Sequence, residues 1–374
     1  MNKPSHMTVF DTLYAIAASD GREAPLFGQT LSLARPAFEK TLIGENYPTV
    51  YLEFPLLGEP RFDFLTVYTS VPTGAQFAPG AGFGYQRMFD WFSGIRLSGV
   101  SCGLEVDCGE GETERAGVYL QQFRHSELVA PFLSSIGEEA RTTGYLSVLG
   151  RMPPGWNSAY VGLFPGRAGT PLRIGGYLKK NVKAACAADP AFLADQFDRI
   201  GFSAYDGAML ARCAEFMALV PSVDFQFDIL ADGTLADVFG LSLSFNETKP
   251  RNARACMESG YGAKLMGRLE ALGLADDRWK KTAGAAFARA VPFSREDGSR
   301  GRLALCCLLN YAKVKFKASA PCPAKFYFAL KAAEISSSVP EELFLAPDQQ
   351  PEQPAARGAQ ISAPGPVLQD GSAQ

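Results

Sequence analysis

Five times between residues 49 and 330, two β-rich runs face each other across a short turn, and a long interval separates each pair from the next. The pairs are 49–54 with 62–70, 103–108 with 116–123, 159–164 with 172–179, 223–230 with 239–245, and 312–318 with 324–330. Connections such as Leu57-Gly58-Glu59-Pro60 and Ala231-Asp232-Gly233-Thr234 hold the Gly, Pro and Asp that give a reversal its positive or fixed φ. A short turn joins only antiparallel neighbours, so local hairpins repeated in this way specify one antiparallel sheet. Ten strands are enough for the sheet to curl, and closure removes both exposed edges. The intervals 86–97, 126–139, 190–200, 206–219, 253–272 and 279–290 carry apolar residues at helical spacing, with Ser126 and Asp206 placed as N-caps. The expected fold is α+β: a ten-stranded antiparallel β-barrel of five hairpins surrounded by helices. Residues 46–335 form this barrel domain, 1–45 a helical segment packed on it, and 336–374 a disordered Pro/Gln/Ala-rich tail.

Alternate side chains of a strand share a face. Along 172–179, Leu172, Ile174 and Leu178 lie on one face and Arg173, Gly175, Tyr177 and Lys179 on the other. Lys313, Lys315 and Lys317 oppose Val314 and Phe316, and Lys325 and Tyr327 oppose Phe326, Phe328 and Leu330. Asp224, Gln226 and Asp228 oppose Phe225, Phe227 and Ile229 in the same way. If helices cover the outside, the apolar faces point to them and the polar faces line the interior. Cations from separate hairpins then meet in one chamber. A buried unpaired charge costs several kcal/mol, so that chamber is wet or holds an anion. A phosphate or diphosphate meets the demand through charge-assisted hydrogen bonds. The other arrangement compatible with the pattern is an open sheet whose lysine face is merely solvated.

Composition narrows the classes further. The formal net charge of −3 gives no general attraction to nucleic acid or an anionic membrane, so any cationic site is local. No apolar run reaches the roughly 18 residues of a membrane span, and the first residues lack a secretory pattern, which makes the cytoplasm the expected location. His6 and His125 are the only histidines, which rules out a His-rich metal site. Eight cysteines without a CxxC pair read as reduced structural thiols. The glycine-rich 80–84 follows no strand of dinucleotide-binding type, and Asp276-Asp277 reads as a helix N-terminus.

The hairpin-and-helix order, with Arg, Lys and Tyr at alternating positions, resembles the ABBA-type aromatic prenyltransferases, and most closely their bacterial peptide-modifying (cyanobactin-type) branch. The stretches that carry the resemblance are YLEFP at 51–55, LRIGGYLKK at 172–180 and VDFQFDILADG at 223–233. It implies transfer of an allylic isoprenyl group from dimethylallyl or geranyl diphosphate to an aromatic or peptide side-chain acceptor. Glu53 matches the family's proton-accepting carboxylate. Arg61, Arg173, Lys179, Lys313, Lys315 and Lys325 would hold the departing diphosphate. Tyr177 and Tyr327 would shield the allyl cation, at about 0.5–2 kcal/mol each. There is no DDxxD arrangement to chelate magnesium, so no cofactor is required and Mg²⁺ serves at most as an aid to diphosphate binding.

Other readings stand beside these. Glu53 equally suits a solvated polar face, and Arg61, which shares a face with Asp63, equally suits an ion pair with it. A non-catalytic barrel binding a phosphorylated ligand or a peptide needs every feature except Glu53. An accessory protein of a peptide natural-product pathway, built on an open sheet, needs only the lysine face.

Overall fold

The computed structural model describes residues 49–61, 63–71, 84–107, 116–165, 169–245, 250–282, 286–294 and 300–335. The expected N-terminal segment and C-terminal tail, His6, Cys108 and the glycines at 80 and 82 lie outside the described residues. The strands are β1 (Thr49–Pro55), β2 (Asp63–Tyr68), β3 (Ser101–Val106), β4 (Gly117–Gln121), β5 (Trp156–Leu163), β6 (Leu172–Leu178), β7 (Ser222–Ile229), β8 (Leu235–Ser244), β9 (Phe287–Ser294), β10 (Arg300–Lys317), β11 (Ala320–Pro321) and β12 (Lys325–Ile335). Each of β1 to β8 is hydrogen-bonded to the next, β8 to β10, β10 to β12, and β12 back to β1, and every pairing in this circuit is antiparallel. The result is the closed ten-stranded barrel expected from the five hairpins.

Helices fill the intervals: α1 (Tyr85–Ser93), α2 (Val129–Ser135), α3 (Thr142–Gly150), α4 (Lys180–Ala188), α5 (Pro190–Ile200), α6 (Gly207–Leu219), α7 (Pro250–Glu258) and α8 (Tyr261–Ala271). Two start on the local signals that sequence provides. The Asp189 carboxylate accepts from Ala191 N at 2.8 Å ahead of Pro190, and Asp206 accepts from Met209 N at 2.7 Å. Ser126 instead opens a 3₁₀ turn and caps nothing with its side chain. Asp276 accepts from Arg278 N at 3.1 Å, the helix-start role expected of the acidic pair.

Two expected helices differ. The interval 253–272 is broken at Ser259-Gly260 into α7 and α8. The interval 279–290 ends its 3₁₀ turn at Lys281 and becomes β9 from Phe287, because the first half of β10 offers it a ladder from Cys307 to Arg300. Strand pairing overrides a weak local preference here. β10 is far longer than the expected 312–318. It leaves β9 and joins β8 around Asn310, where its register against β12 shifts between Leu309 and Tyr311.

The outward face of the barrel is apolar. Leu52, Leu104, Val118, Ile174, Phe225, Phe227, Phe239, Val314 and Phe326 are buried in one core with residues of the helices. Phe197 of α5 meets Phe239 at 4.9 Å between ring centroids, and Trp156 meets Phe225 at 4.8 Å. A buried phenylalanine contributes about 1.5–3 kcal/mol. This face points to the helices, so the polar faces point inward and the open, solvated sheet is excluded. The described cysteines are free thiols, five of them buried. Among the described residues, no helix is long and apolar enough to cross a membrane.

Candidate active site

Strand register sets the inward side chains in tiers. Asp63, Glu53, Tyr327, Tyr311 and Ser244 are successive cross-strand partners on β2, β1, β12, β10 and β8. Lys325, Lys313, Ser242, Asp224 and Tyr177 form a second tier across β12, β10, β8, β7 and β6. Lys315, Gly240, Gln226, Gly175 and Tyr160 form a third. Arg173 lies opposite Asp228 on one side and Gly162 on the other.

Glu53 is held from two directions. Lys325 Nζ donates to one carboxylate oxygen and Tyr327 Oη to the other. Lys325 Nζ also lies 3.8 Å from Asp63 Oδ2. Burial alone would raise the Glu53 pKa, but the Lys325 and Lys313 charges outweigh it and hold the carboxyl below the usual range. Burial and the Glu53 charge push Tyr327 well above the phenol range, which keeps it a donor. Burial lowers Lys325, yet the Glu53 and Asp63 charges more than restore it. The Tyr327 ring stacks on Tyr311 at 4.2 Å.

Arg173 is already satisfied. Its Nε and Nη2 donate to the two oxygens of Asp228 at 2.9 and 3.3 Å, and Nη1 donates to Tyr119 Oη at 3.1 Å. Tyr119 Oη in turn donates a hydrogen bond to Glu105 Oε2 at 2.5 Å, and the guanidinium sits 4.1 Å over the Phe164 ring. The expectation that Arg173 grips phosphate is corrected accordingly. Asp228 occupies the bidentate face that an anion would need.

Lys313 and Lys315 differ. Neither has a carboxylate within 4 Å among the described residues. Burial, then the Lys315 and Arg173 charges, pushes Lys313 well below the lysine range. Burial, then Arg173 and Lys325, pushes Lys315 down to about 8. Two crowded lysines, which Glu53 offsets only in part, are what an anion would stabilise.

Two expected ligands stand elsewhere. Lys179 follows the last residue of β6 and is exposed as the N-cap of α4, because the chain turns into a helix before the alternation can carry it inward. Arg61 is exposed in the β1–β2 turn, whereas Asp63 is buried.

A cavity of about 270 Å³ lies inside the barrel. Glu53, Lys313, Tyr177 and Tyr327 line it; Arg173, Lys315 and Lys325 face the lumen beyond its lining. Tyr51, Tyr119, Tyr160 and Tyr311 add four more aromatic walls, and Asp63, Glu105 and Asp224 add carboxylates. Sequence analysis passed over these groups as site residues, although all share the inward parity. A signal for two of them was a glycine on the facing strand. A Cβ at Gly175 would sit 2.1 Å from Tyr160 Cζ, and one at Gly162 would sit 2.6 Å from Tyr119 Cε1. Phe123, 50 % exposed and at φ +38°, stands at the mouth. His125 lies outside the cavity lining, 3.0 Å from Glu127. Among the described residues no cluster of His, Cys, Asp and Glu is arranged to hold a metal ion.

This architecture, an antiparallel ten-stranded barrel with a polar lumen and a helical coat, is the barrel of the ABBA aromatic prenyltransferases. A crystal structure of 5-dimethylallyltryptophan synthase from Streptomyces coelicolor aligns over 87% of this chain and 97% of that one, with a TM-score of 0.50 and 12% identity. A structure of 5-dimethylallyl tryptophan synthase from Streptomyces coelicolor in complex with DMASPP and Trp aligns over 96% of this chain and 100% of that one, with a TM-score of 0.51 and 11% identity. What is shared at this identity is the fold. Neither protein-family models nor curated protein sequences give a match.

Proposed function

We propose that this protein is a prenyltransferase that moves an allylic isoprenyl group from its diphosphate to an aromatic acceptor inside the barrel. One observation carries the reading: among the described residues, Lys313 and Lys315 have no carboxylate within ion-pair distance, in the same lumen as an ionised Glu53 and a wall of tyrosines. The solved relative of this fold in complex with DMASPP and Trp supports a diphosphate donor with an aromatic acceptor.

In this reading the donor's diphosphate lies against Lys313 and Lys315. The allylic C–O bond breaks and its electron pair leaves with the diphosphate, whose growing charge the two lysines stabilise. The allyl cation is flanked by tyrosine faces, Tyr327 and Tyr177 among them. The acceptor's nucleophilic atom forms the new bond to carbon, and its proton passes to the Glu53 carboxylate. Lys325 and Tyr327 hold that carboxylate in place, so they are positioning residues. Lysine charge does the work at the leaving group, and Mg²⁺ is at most an aid to donor binding; activity retained in EDTA is the expected result, and activity lost there would contradict it. An acceptor presented on a peptide, as in the cyanobactin-type branch, is the finer form of the proposal. The exposed Phe123 at the mouth supports it by offering an aromatic surface to an incoming chain.

The test is incubation with dimethylallyl or geranyl diphosphate and, separately, free tryptophan and a peptide containing tyrosine or tryptophan. Isoprenyl mass on either acceptor, lost in Glu53→Gln while diphosphate binding persists, is the expected result. Diphosphate bound with no transfer to any acceptor would instead return the non-catalytic barrel.

A further inference from the structure

The charge on the cavity wall does not match a chamber built for a diphosphate alone. Among the described residues, Lys313 is the one Lys or Arg on its lining, against four carboxylates: Glu53, Asp63, Glu105 and Asp224. Three of these are engaged. Lys325 and Tyr327 hold Glu53, Lys325 lies near Asp63, and Tyr119 donates to Glu105. Asp224 forms no hydrogen bond or ion pair among the described residues, and Ser242 separates it from Lys313 in their tier. Two residues along the same inward face of β7, Gln226 is 1% exposed, and neither its Oε1 nor its Nε2 has a partner among the described residues. A buried amide left in this way costs about 1–3 kcal/mol per unmet group by general experience. Gln226 lies off the cavity lining, so Asp224 is the open group, and an unengaged carboxylate on an aromatic wall suits a ligand that carries N–H donors.

We propose that the acceptor side of the cavity selects substrates bearing a protonated amine or guanidine, anchored by Asp224. The proposal rests on the lumen being the acceptor pocket of the transfer reaction. An ammonium with three donors, or a guanidinium with five, can donate to both oxygens of the carboxylate. Tyr51 and Tyr160 supply aromatic faces on the same lining, which favour a cation further. Anchored there, the substrate turns its nucleophilic atom toward Glu53.

Protonation offers an independent readout. Burial pushes the Asp224 carboxyl up to about 7, against the pull of Lys313. The ionisable groups that face it are Tyr177 on β6, Lys313 on β10, Tyr51 on β1 and Tyr160 on β5. Burial raises Tyr51 and Tyr160, so neither loses its proton near neutrality. A cation bound beside Asp224 at pH 7 therefore expels part of a proton from it.

The experiment is calorimetric titration of the full chain with tryptamine and with its neutral isostere 3-ethylindole, in buffers of different ionisation enthalpy. Tryptamine is expected to bind roughly tenfold or more tightly, since a hydrogen bond to a charged group is worth about that factor. Its binding should release a fraction of a proton at pH 7. Asp224→Asn should remove both the preference and the release while still binding 3-ethylindole. Equal affinities, no tryptamine binding, or a preference that survives in Asp224→Asn overturns the proposal. The wild-type comparison decides by itself if the variant does not fold. No isoprenyl diphosphate enters the titration. Failure here leaves the transfer reading standing, and absence of transfer leaves this result standing.

Discussion

At the hairpin-turn end of the barrel, Arg173 is clamped between Asp228 and Tyr119, and Lys325 lies between Glu53 and Asp63. At the helix-linked end, Asp224 lines an aromatic cavity with no carboxylate, amide or lysine bound to it among the described residues. Both ends show the same alternation in sequence, polar residues inward on every strand. They differ in whether the inward charges answer one another. A polar lumen is therefore not a uniformly cationic one. Toward the turn end Arg173, Asp228, Lys325, Glu53 and Asp63 are spent on a fixed internal network, and the demand for a ligand falls on Lys313 and Lys315, which stand beside that network, and on Asp224. The network also has a use, since it fixes Glu53 through Lys325 and Tyr327.

Breaking the turn end should have the largest effect. Arg173 and Asp228 are 2% and 8% exposed, so Arg173→Met leaves a buried carboxylate without its partner. A loss of about 3–5 kcal/mol in denaturant unfolding is expected, with most of it recovered in Arg173→Met/Asp228→Leu. A single variant close to wild type would mean that water reaches the pair. Glu53→Gln tests the same network through chemistry. Turnover should fall roughly 10²–10⁴-fold in steady-state assays, with donor binding changed little.

Smaller changes sharpen the other end. Gly175→Ala should displace the Tyr160 ring and lower stability by about 1–3 kcal/mol in a melting experiment, with ligand affinity falling alongside. Asp224→Asn should act through pH. The folded pKa of about 7 lies above the unfolded value of about 3.9. The folded state thus binds the extra proton between those two values, and stability is lost as pH rises through that window. The variant should melt above wild type at pH 8, and the gap should close as pH falls toward 4. A constant gap would assign the effect to something other than ionisation.

How much of this was legible in the sequence differs by level. Faces were legible, because alternation in 172–178 or 223–229 states which side chains share a surface whatever the neighbours are. Register was not. That Arg173 meets Asp228, and Lys325 meets Glu53, depends on how strands from distant hairpins align. Both carboxylates were visible on inward faces, yet nothing local assigns them a partner. Strand ends were equally hidden, so Lys179 continued an alternation that the backbone abandons for α4. The apolar run of 303–309 lacks the two-residue period, because β10 there lies between β9 and β12 rather than along the lumen.

The central claim is that Lys313 and Lys315 wait for an anion. Calorimetric titration with a non-reactive dimethylallyl diphosphate analogue near pH 8 tests it most directly. Lys315, pushed down to about 8, is there partly deprotonated, so binding should take up protons and weaken as pH rises further. Lys313→Met and Lys315→Met should each weaken binding roughly tenfold. Binding without proton uptake that neither substitution alters, or no binding at all, would contradict the claim.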